Sequence, residues 1–301
     1  MIKSFKITNH LGNSLYLDIR KPEDTGFLVT SVSGLTPPKA EVSESEFSTA
    51  DGIDISGVRV GSRSITFTLI FYQDNNEKLT VEELRHICYE YFPVKKEIQI
   101  EITNDSGIYR TSGTIETNEI TIFTIMEGAQ INVICPDPYF WSKDSSTLNM
   151  WDVKPAFEFP VIFEDTVEFS TIDTSHQFDL YYNGAGDCGV TLKIYSIGSV
   201  GDIYIYDQLT NGYMKIISSR VAQKTGHPVM KGDYITINTR RGKKSASLLR
   251  NGITHNILHA ISTDSEWTML HQGLNRFAYV ATSGVSNLKI SIDYEVNCLG
   301  V

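Results

Sequence analysis

The sequence predicts a mainly β protein built of antiparallel sheets, divided into two domains and carrying one helix, and three observations predict it. Apolar residues recur at every second position, as in Ile65-Thr66-Phe67-Thr68-Leu69, Ile98-Gln99-Ile100-Glu101-Ile102, Val190-Thr191-Leu192-Lys193-Ile194 and Leu288-Lys289-Ile290-Ser291-Ile292. Such alternation marks strands with one face in a core. Turn dipeptides at Asn183-Gly184, Asn211-Gly212, Arg241-Gly242 and Asn251-Gly252 separate strand-like runs at short intervals. Asn-Gly favours type I′ hairpins because both central residues take φ > 0, and connections this short require antiparallel pairing. Finally, 301 residues exceed what a single core usually fills.

The elements follow in chain order. The N-terminus, Met1 to His10, has no apolar signal-peptide core, and no run approaches the roughly 20 apolar residues of a membrane span; the expectation is a soluble chain made in the cytoplasm, with no membrane partner. Ala40 to Gly61 is rich in Ser, Glu and Gly and reads as a long loop, of the kind usually kept for function. Thr80-Val81-Glu82-Glu83 is a capping box, and behind it Leu84, Ile87, Cys88, Tyr91 and Phe92 form one helical stripe that Pro93 ends. That spacing predicts a helix over about 81–92. Pro136, Pro138 and Pro155 flank the polar run Ser142 to Thr147, and because proline cannot donate to a sheet ladder the segment reads as a connector. The expected division is therefore a first domain over 1–140, a connector over 141–155 and a second domain over 156–301.

Composition narrows the function. With 41% apolar and 21% charged residues and a formal charge of −10, the chain is globular and unsuited to wrapping nucleic acid, which needs a surplus of Lys and Arg on one face. The charge is uneven: residues 1–150 carry 13 basic against 21 acidic side chains, a formal −8. Cys88, Cys135, Cys188 and Cys298 form no C-x-x-C pair and read as reduced core thiols.

No catalytic, cofactor-binding or metal-binding set emerges. Gly184-Ala185-Gly186-Asp187-Cys188-Gly189 spells G-x-G-x-x-G, but a strand pattern follows it where a dinucleotide site needs a helix N-terminus. His255 and His259 would sit about 13 Å apart on a strand at roughly 3.3 Å per residue, too far to chelate one ion with His271. A G-x-S-x-G nucleophile elbow is absent. Arg240-Arg241-Gly242-Lys243-Lys244 reads as a solvated hairpin tip. Tyr181, Tyr182, Tyr204, Tyr206, Tyr213 and Trp267 read first as core and cross-strand partners, with a sugar-stacking platform on a sheet face as the alternative.

Several motifs, taken in order, resemble the distal tail protein family of long-tailed bacteriophages. They are Gly34-Leu35-Thr36-Pro37-Pro38, the loop through Gly52 and Gly57, Arg63 ahead of the strand Ile65 to Phe71, and the helix with Arg85. The junction run Cys135-Pro136-Asp137-Pro138-Tyr139-Phe140-Trp141 follows, and then Trp267 to Asn275 with its Gly273-x-Asn275 turn. The resemblance spans nearly the whole chain.

The resemblance implies a split β-barrel-like first domain carrying the helix and a galectin-like antiparallel β-sandwich as the second. It implies a structural, non-enzymatic virion component at the phage tail tip, assembled in the bacterial host cytoplasm. Six copies would form a ring through their first domains, joining the tail tube protein to a tail-associated lysin or tail fibre protein, with DNA only passing through the lumen. Ala40 to Gly61 would be the inter-subunit belt, with Glu41, Phe47, Gly52 and Gly57 as its candidate residues. Arg63, Arg85, Pro136, Asp137, Pro138, Tyr139, Gly273 and Asn275 are the candidate assembly or junction residues. The alternative reading is a carbohydrate-binding module contacting host cell-wall glycans.

Overall fold

A computed structural model describes residues 1–46, 51–72, 79–150, 153–155, 170–172 and 177–301. The chain is mainly β and its strands pair antiparallel. It divides into two compact units, Met1–Asp144 with Asn297–Val301, and Ser145–Val296.

The first unit contains β1 (Ile2–Thr8), β2 (Ser14–Asp18), β3 (Phe27–Ser33), β4 (Ala40–Glu46), β5 (Ile53–Val60), β6 (Arg63–Phe71), α1 (Val81–Tyr91), β7 (Glu97–Asn104), β8 (Gly107–Thr121) and β9 (Gly128–Cys135), and β10 (Phe140–Asn149) starts in it. Its strands run in the order β2-β1-β7-β8-β9-β6-β3. The long strand β8 makes this path turn. Its first half, to Thr114, pairs with β7, and its second half, from Thr114, pairs with β9 across a register shift between Ile115 and Thr117. A bulge raises local twist and bends a strand. Gly113, just before it, lies so close to β9 that a Cβ would fall 2.7 Å from the Ile134 carbonyl oxygen and 2.8 Å from the Cys135 sulfur.

Alternate residues of these strands fill one core. Phe5 and Ile7, Ile65, Phe67 and Leu69, Ile98, Ile100 and Ile102, and Ile131 and Val133 are all buried, with Phe5 and Phe67 in edge-to-face contact at 5.3 Å. Helix α1 begins as its sequence demands. The Glu83 N–H donates to the Thr80 hydroxyl at 3.2 Å and the Thr80 N–H donates to the Glu83 carboxylate at 2.8 Å, and Leu84 and Cys88 enter the core.

Burial pushes the Cys88 thiol up from its ordinary value near 9 to about 12. The folded chain therefore keeps a proton that the unfolded chain loses, and stability falls as pH rises through that interval. Cys88→Ala should flatten the fall in urea midpoint between pH 9 and pH 11, while costing about 1 kcal/mol at neutral pH for the lost packing.

The second unit takes the remainder of β10, β11 (Val153–Pro155), β12 (Ser170–Ile172), β13 (Gln177–Tyr182), β14 (Cys188–Gly189), β15 (Thr191–Ser196), β16 (Ile203–Asp207), β17 (Gly212–Ile216), α2 (Ser218–Thr225), β18 (Tyr234–Asn238), β19 (Ser245–Arg250), β20 (Ile253–Asn256), β21 (Met269–Leu270), β22 (Gly273–Ala281) and most of β23 (Leu288–Cys298). Strands β13-β22-β16-β17 make one sheet; β23-β15-β18-β19-β20 run in order in another. Each buries one face, with Ile203, Ile205, Met214, Ile216 and Phe277 inward on the first and Leu192, Ile194, Ile235, Ile237, Leu248 and Ile290 on the second. Tyr182 ties the two, its hydroxyl donating to the Glu295 carbonyl at 3.3 Å and its ring meeting Tyr294 edge-on.

Four expectations change. The described residues of Ala40 to Gly61 are mostly strand where a loop was expected: β4 and β5 pair along their length. The segment placed as a connector is strand β10 as far as Asn149, because its prolines, Pro136 and Pro138, precede the strand and leave the ladder intact. A second helix, α2, stands beside the one foreseen; it is only two turns long, ending on Gly226 in the left-handed region (φ 80°), too short to show an apolar stripe. Asn297–Val301 belongs to the first unit, because the Val301 N–H pairs with the Leu35 carbonyl at 3.1 Å. The hairpin reading holds in detail at Asn251-Gly252, where both residues take positive φ.

Candidate assembly site

Arg63 organises the first unit. It opens β6, is 2% exposed, and lays its guanidinium 4.2 Å over the Phe140 ring. Nε donates to the Pro138 carbonyl at 2.9 Å, Nη1 to the Thr36 carbonyl at 2.9 Å and to the Gly34 carbonyl, and Nη2 to the Leu299 carbonyl. One cation thus fastens the turn after β3, the approach to β10 and the chain after β23. Burial pushes its pKa down, against the nearby Cys135, Cys298 and Asp137, but a guanidinium stays charged and four carbonyl dipoles replace its water. Gly34 is required there, because at φ 83° a Cβ would sit 2.0 Å from the Ser64 carbonyl oxygen.

The junction run forms around the same cation. Asp137 accepts the Tyr139 N–H at 3.0 Å and the Trp141 indole N–H at 2.7 Å, and the Tyr139 and Trp141 rings meet edge-on at 6.5 Å. Pro136 and Pro138 flank this Asx turn, and their fixed φ stiffens it. Of the candidates named from sequence, Arg63, Asp137, Pro138 and Tyr139 come together. Arg85 lies apart, paired with Glu127 at 2.6 Å and joining α1 to the start of β9.

Gly273 and Asn275 lie in the second unit. Gly273 takes φ 98°, and the buried Asn275 side chain closes the turn, accepting the His271 N–H at 2.8 Å and donating to the His271 and Gly273 carbonyls at 2.7 and 3.1 Å. Asn275→Ala would leave those partly buried backbone groups unpaired. Its expected cost is about 2 kcal/mol, read as faster amide exchange along β22.

The belt candidates fall on the β4–β5 ribbon. Glu41 pairs across it with Arg59 at 2.7 Å, Gly52 precedes β5 at φ 107°, and Gly57 faces Ser43. Phe47 lies outside the described residues. The register shifts between Ser43 and Glu44, so that Val42 faces Val58 whereas Glu44 faces Ile55. That extra residue brings Ile53 and Ile55 onto the face of Val58 and Val60, which strict period two would deny them. The ribbon therefore has an apolar face, Val42, Ile53, Ile55, Val58 and Val60 with Glu44 and Glu46, and a polar one, Glu41, Ser43, Ser45, Asp54 and Arg59. Val42, Ile53, Ile55 and Val58 are 41% to 65% exposed. A second apolar surface of the same unit is the loop Ile122-Phe123-Thr124-Ile125-Met126, where Phe123 and Ile125 are wholly exposed beside a groove lined by Leu28, Ile70 and Tyr72.

Two of the three histidines weighed as ligands have other partners: His259 Nε2 meets the Arg220 carbonyl at 3.0 Å and His271 Nδ1 meets Asp187 at 2.9 Å. The G-x-G-x-x-G run ends in strand β14, where a Cβ on Gly189 would meet the Arg240 backbone at 2.5 Å.

No protein-family model and no curated protein matches the chain. Solved structures do, over its full length. The Dit protein of phage SPP1, described as a paradigm of the hub adsorption apparatus in phages infecting Gram-positive bacteria, matches with a TM-score of 0.67 at 15% identity, covering 98% of this chain and 99% of that one. A chain of the phage P2 baseplate in its activated conformation with Ca matches at 0.55 and 13% identity, with 100% of both chains covered. The corresponding structure with Sr matches at 0.50 and 11%, covering 96% and 97%. The chain has the fold of a phage tail-hub protein.

Proposed function

We propose that this protein is the distal hub of a phage tail, a structural component of the virion in which six copies close a ring through their first units. The observation that carries the reading is the β4–β5 ribbon. A lone two-stranded ribbon is marginal in water, and this one keeps four large apolar side chains exposed on one face. That face calls for a protein cover. A ring needs two different patches on each subunit, and the exposed loop Ile122 to Met126 with its groove supplies the second. The full-length likeness to tail-hub folds supports the same reading.

The ring joins the tail tube to the tail fibre or tail-associated lysin protein and lets DNA pass through its lumen. The excess of acidic residues in the first half suits a channel through which DNA slides without sticking. The role is mechanical, and the protein acts by association in the phage particle, after assembly in the host cytoplasm. The experiment that tests this is the mass of the purified protein in solution, compared between the native chain and ribbon variants.

A further inference from the structure

The second unit holds a cavity of about 220 Å³ beside the turn of the β16–β17 hairpin, on the inward face of the sheet. Ile205, Met214, Met269 and Trp267 give it apolar walls. It falls short of the roughly 300–1,000 Å³ of a typical small-molecule site and suits a single long side chain. Two carboxylates line it. Asp207, the last residue of β16, is only 7% exposed. Its Oδ1 accepts the Leu209 N–H at 2.9 Å, which fixes the carboxylate, and its Oδ2 has no hydrogen-bond donor among the described residues. A buried carboxylate oxygen left without a donor calls for one from outside the chain. Glu266 is exposed and marks the mouth. Its carboxylate lies over Gly212, where any Cβ would collide with it.

We propose that this cavity receives an arginine side chain presented by a partner protein. A guanidinium supplies a planar fork of N–H donors for the unpaired Asp207 oxygen and the Glu266 carboxylate, and its flat face stacks on an indole such as Trp267. The stem of the side chain is apolar and matches the isoleucine and methionine walls. Anionic ligands are repelled by the same two carboxylates. A metal ion lacks its ligand set, since no three His, Cys, Asp or Glu side chains converge among the described residues. The Trp267 ring already attracts a cation, the chain's own Lys244 ammonium at 4.8 Å from its centroid. Lys244 is not part of the cavity wall, so an entering cation is opposed by its charge. The inference concerns the second unit alone and stands whether or not the first units form a ring.

The test is calorimetric titration of the full-length chain at low ionic strength with N-acetylarginine methylamide, which mimics the residue within a peptide, with its lysine and citrulline counterparts, and with free arginine. The capped arginine should saturate with a Kd below about 3 mM. The citrulline compound keeps the shape and loses the charge, and should bind at least about tenfold more weakly; the lysine compound lacks the planar fork and should lose about threefold. Free arginine carries a carboxylate into an acidic mouth and should bind more weakly than the capped residue, as a site for a protein side chain requires. Asp207→Asn keeps the acceptor for the Leu209 N–H and should weaken the capped arginine by about tenfold, Glu266→Gln by about threefold, and Lys244→Ala should strengthen it by about twofold. An unaltered native mass and melting curve in Glu266→Gln and Lys244→Ala, both at the surface, separates change at the site from loss of fold or ring. The proposal is overturned if the capped arginine does not saturate below about 30 mM, if the citrulline or lysine compound or free arginine binds as tightly, or if Asp207→Asn and Glu266→Gln both bind as the native chain does.

Discussion

Arg63→Ala should destabilise the first unit by about 4 kcal/mol, within the 3–5 kcal/mol typical of breaking a buried charge partnership. The substitution strips the carbonyls of Gly34, Thr36, Pro138 and Leu299 of their donor, and each acceptor left unpaired where the protein shields it from water costs about 1–3 kcal/mol before relaxation. It also empties the space beside Phe140. Arg63→Met keeps the stem over that ring but restores no hydrogen bond, so it should recover only a small part of the loss. Arg63→Lys should fail as well, because a single ammonium cannot reach three chain segments as a planar fork does. Amide exchange resolved along β6 and β9 is the readout, since it reports the first unit without assuming that both units unfold together. A loss below about 1 kcal/mol, the net worth of one ordinary hydrogen bond, would show that these contacts are incidental.

The second large effect is expected at the ribbon. Ile55→Asp together with Val58→Asp places two carboxylates on the apolar face, where burial without a partner costs several kcal/mol. Each 1.4 kcal/mol is tenfold, so the contact should weaken by about a hundredfold or more and the ring should fall apart into monomers. Both side chains are more than half exposed in the single chain, so the monomer's own melting curve should not move. Ser45→Asp, on the polar face, should leave the ring intact. Phe123→Asp, on the second apolar surface, should mimic the ribbon variant.

How far the sequence was legible depended on whether a signal was local. Helix α1 was readable because its capping box and stripe lie within thirteen residues, and the mainly antiparallel β character because alternation and Asn-Gly turns repeat along the chain. The ribbon was misread as a loop because the period breaks at Ser56-Gly57: a bulge preserves the apolar face in space while erasing the alternation in sequence. Arg63 stood out through the family resemblance, but its use did not, since its partner Leu299 lies 236 positions away and contributes a backbone carbonyl that any residue carries.

The most direct test of the hub reading is light scattering on a sizing column over a range of protein concentrations. The account predicts a particle of about 203 kDa for six copies of the 33.8 kDa chain, reduced to the monomer by Ile55→Asp with Val58→Asp and unaffected by Ser45→Asp. A native chain that stays at 33.8 kDa at every concentration, or a ring that survives the apolar-face variant unchanged, would contradict it.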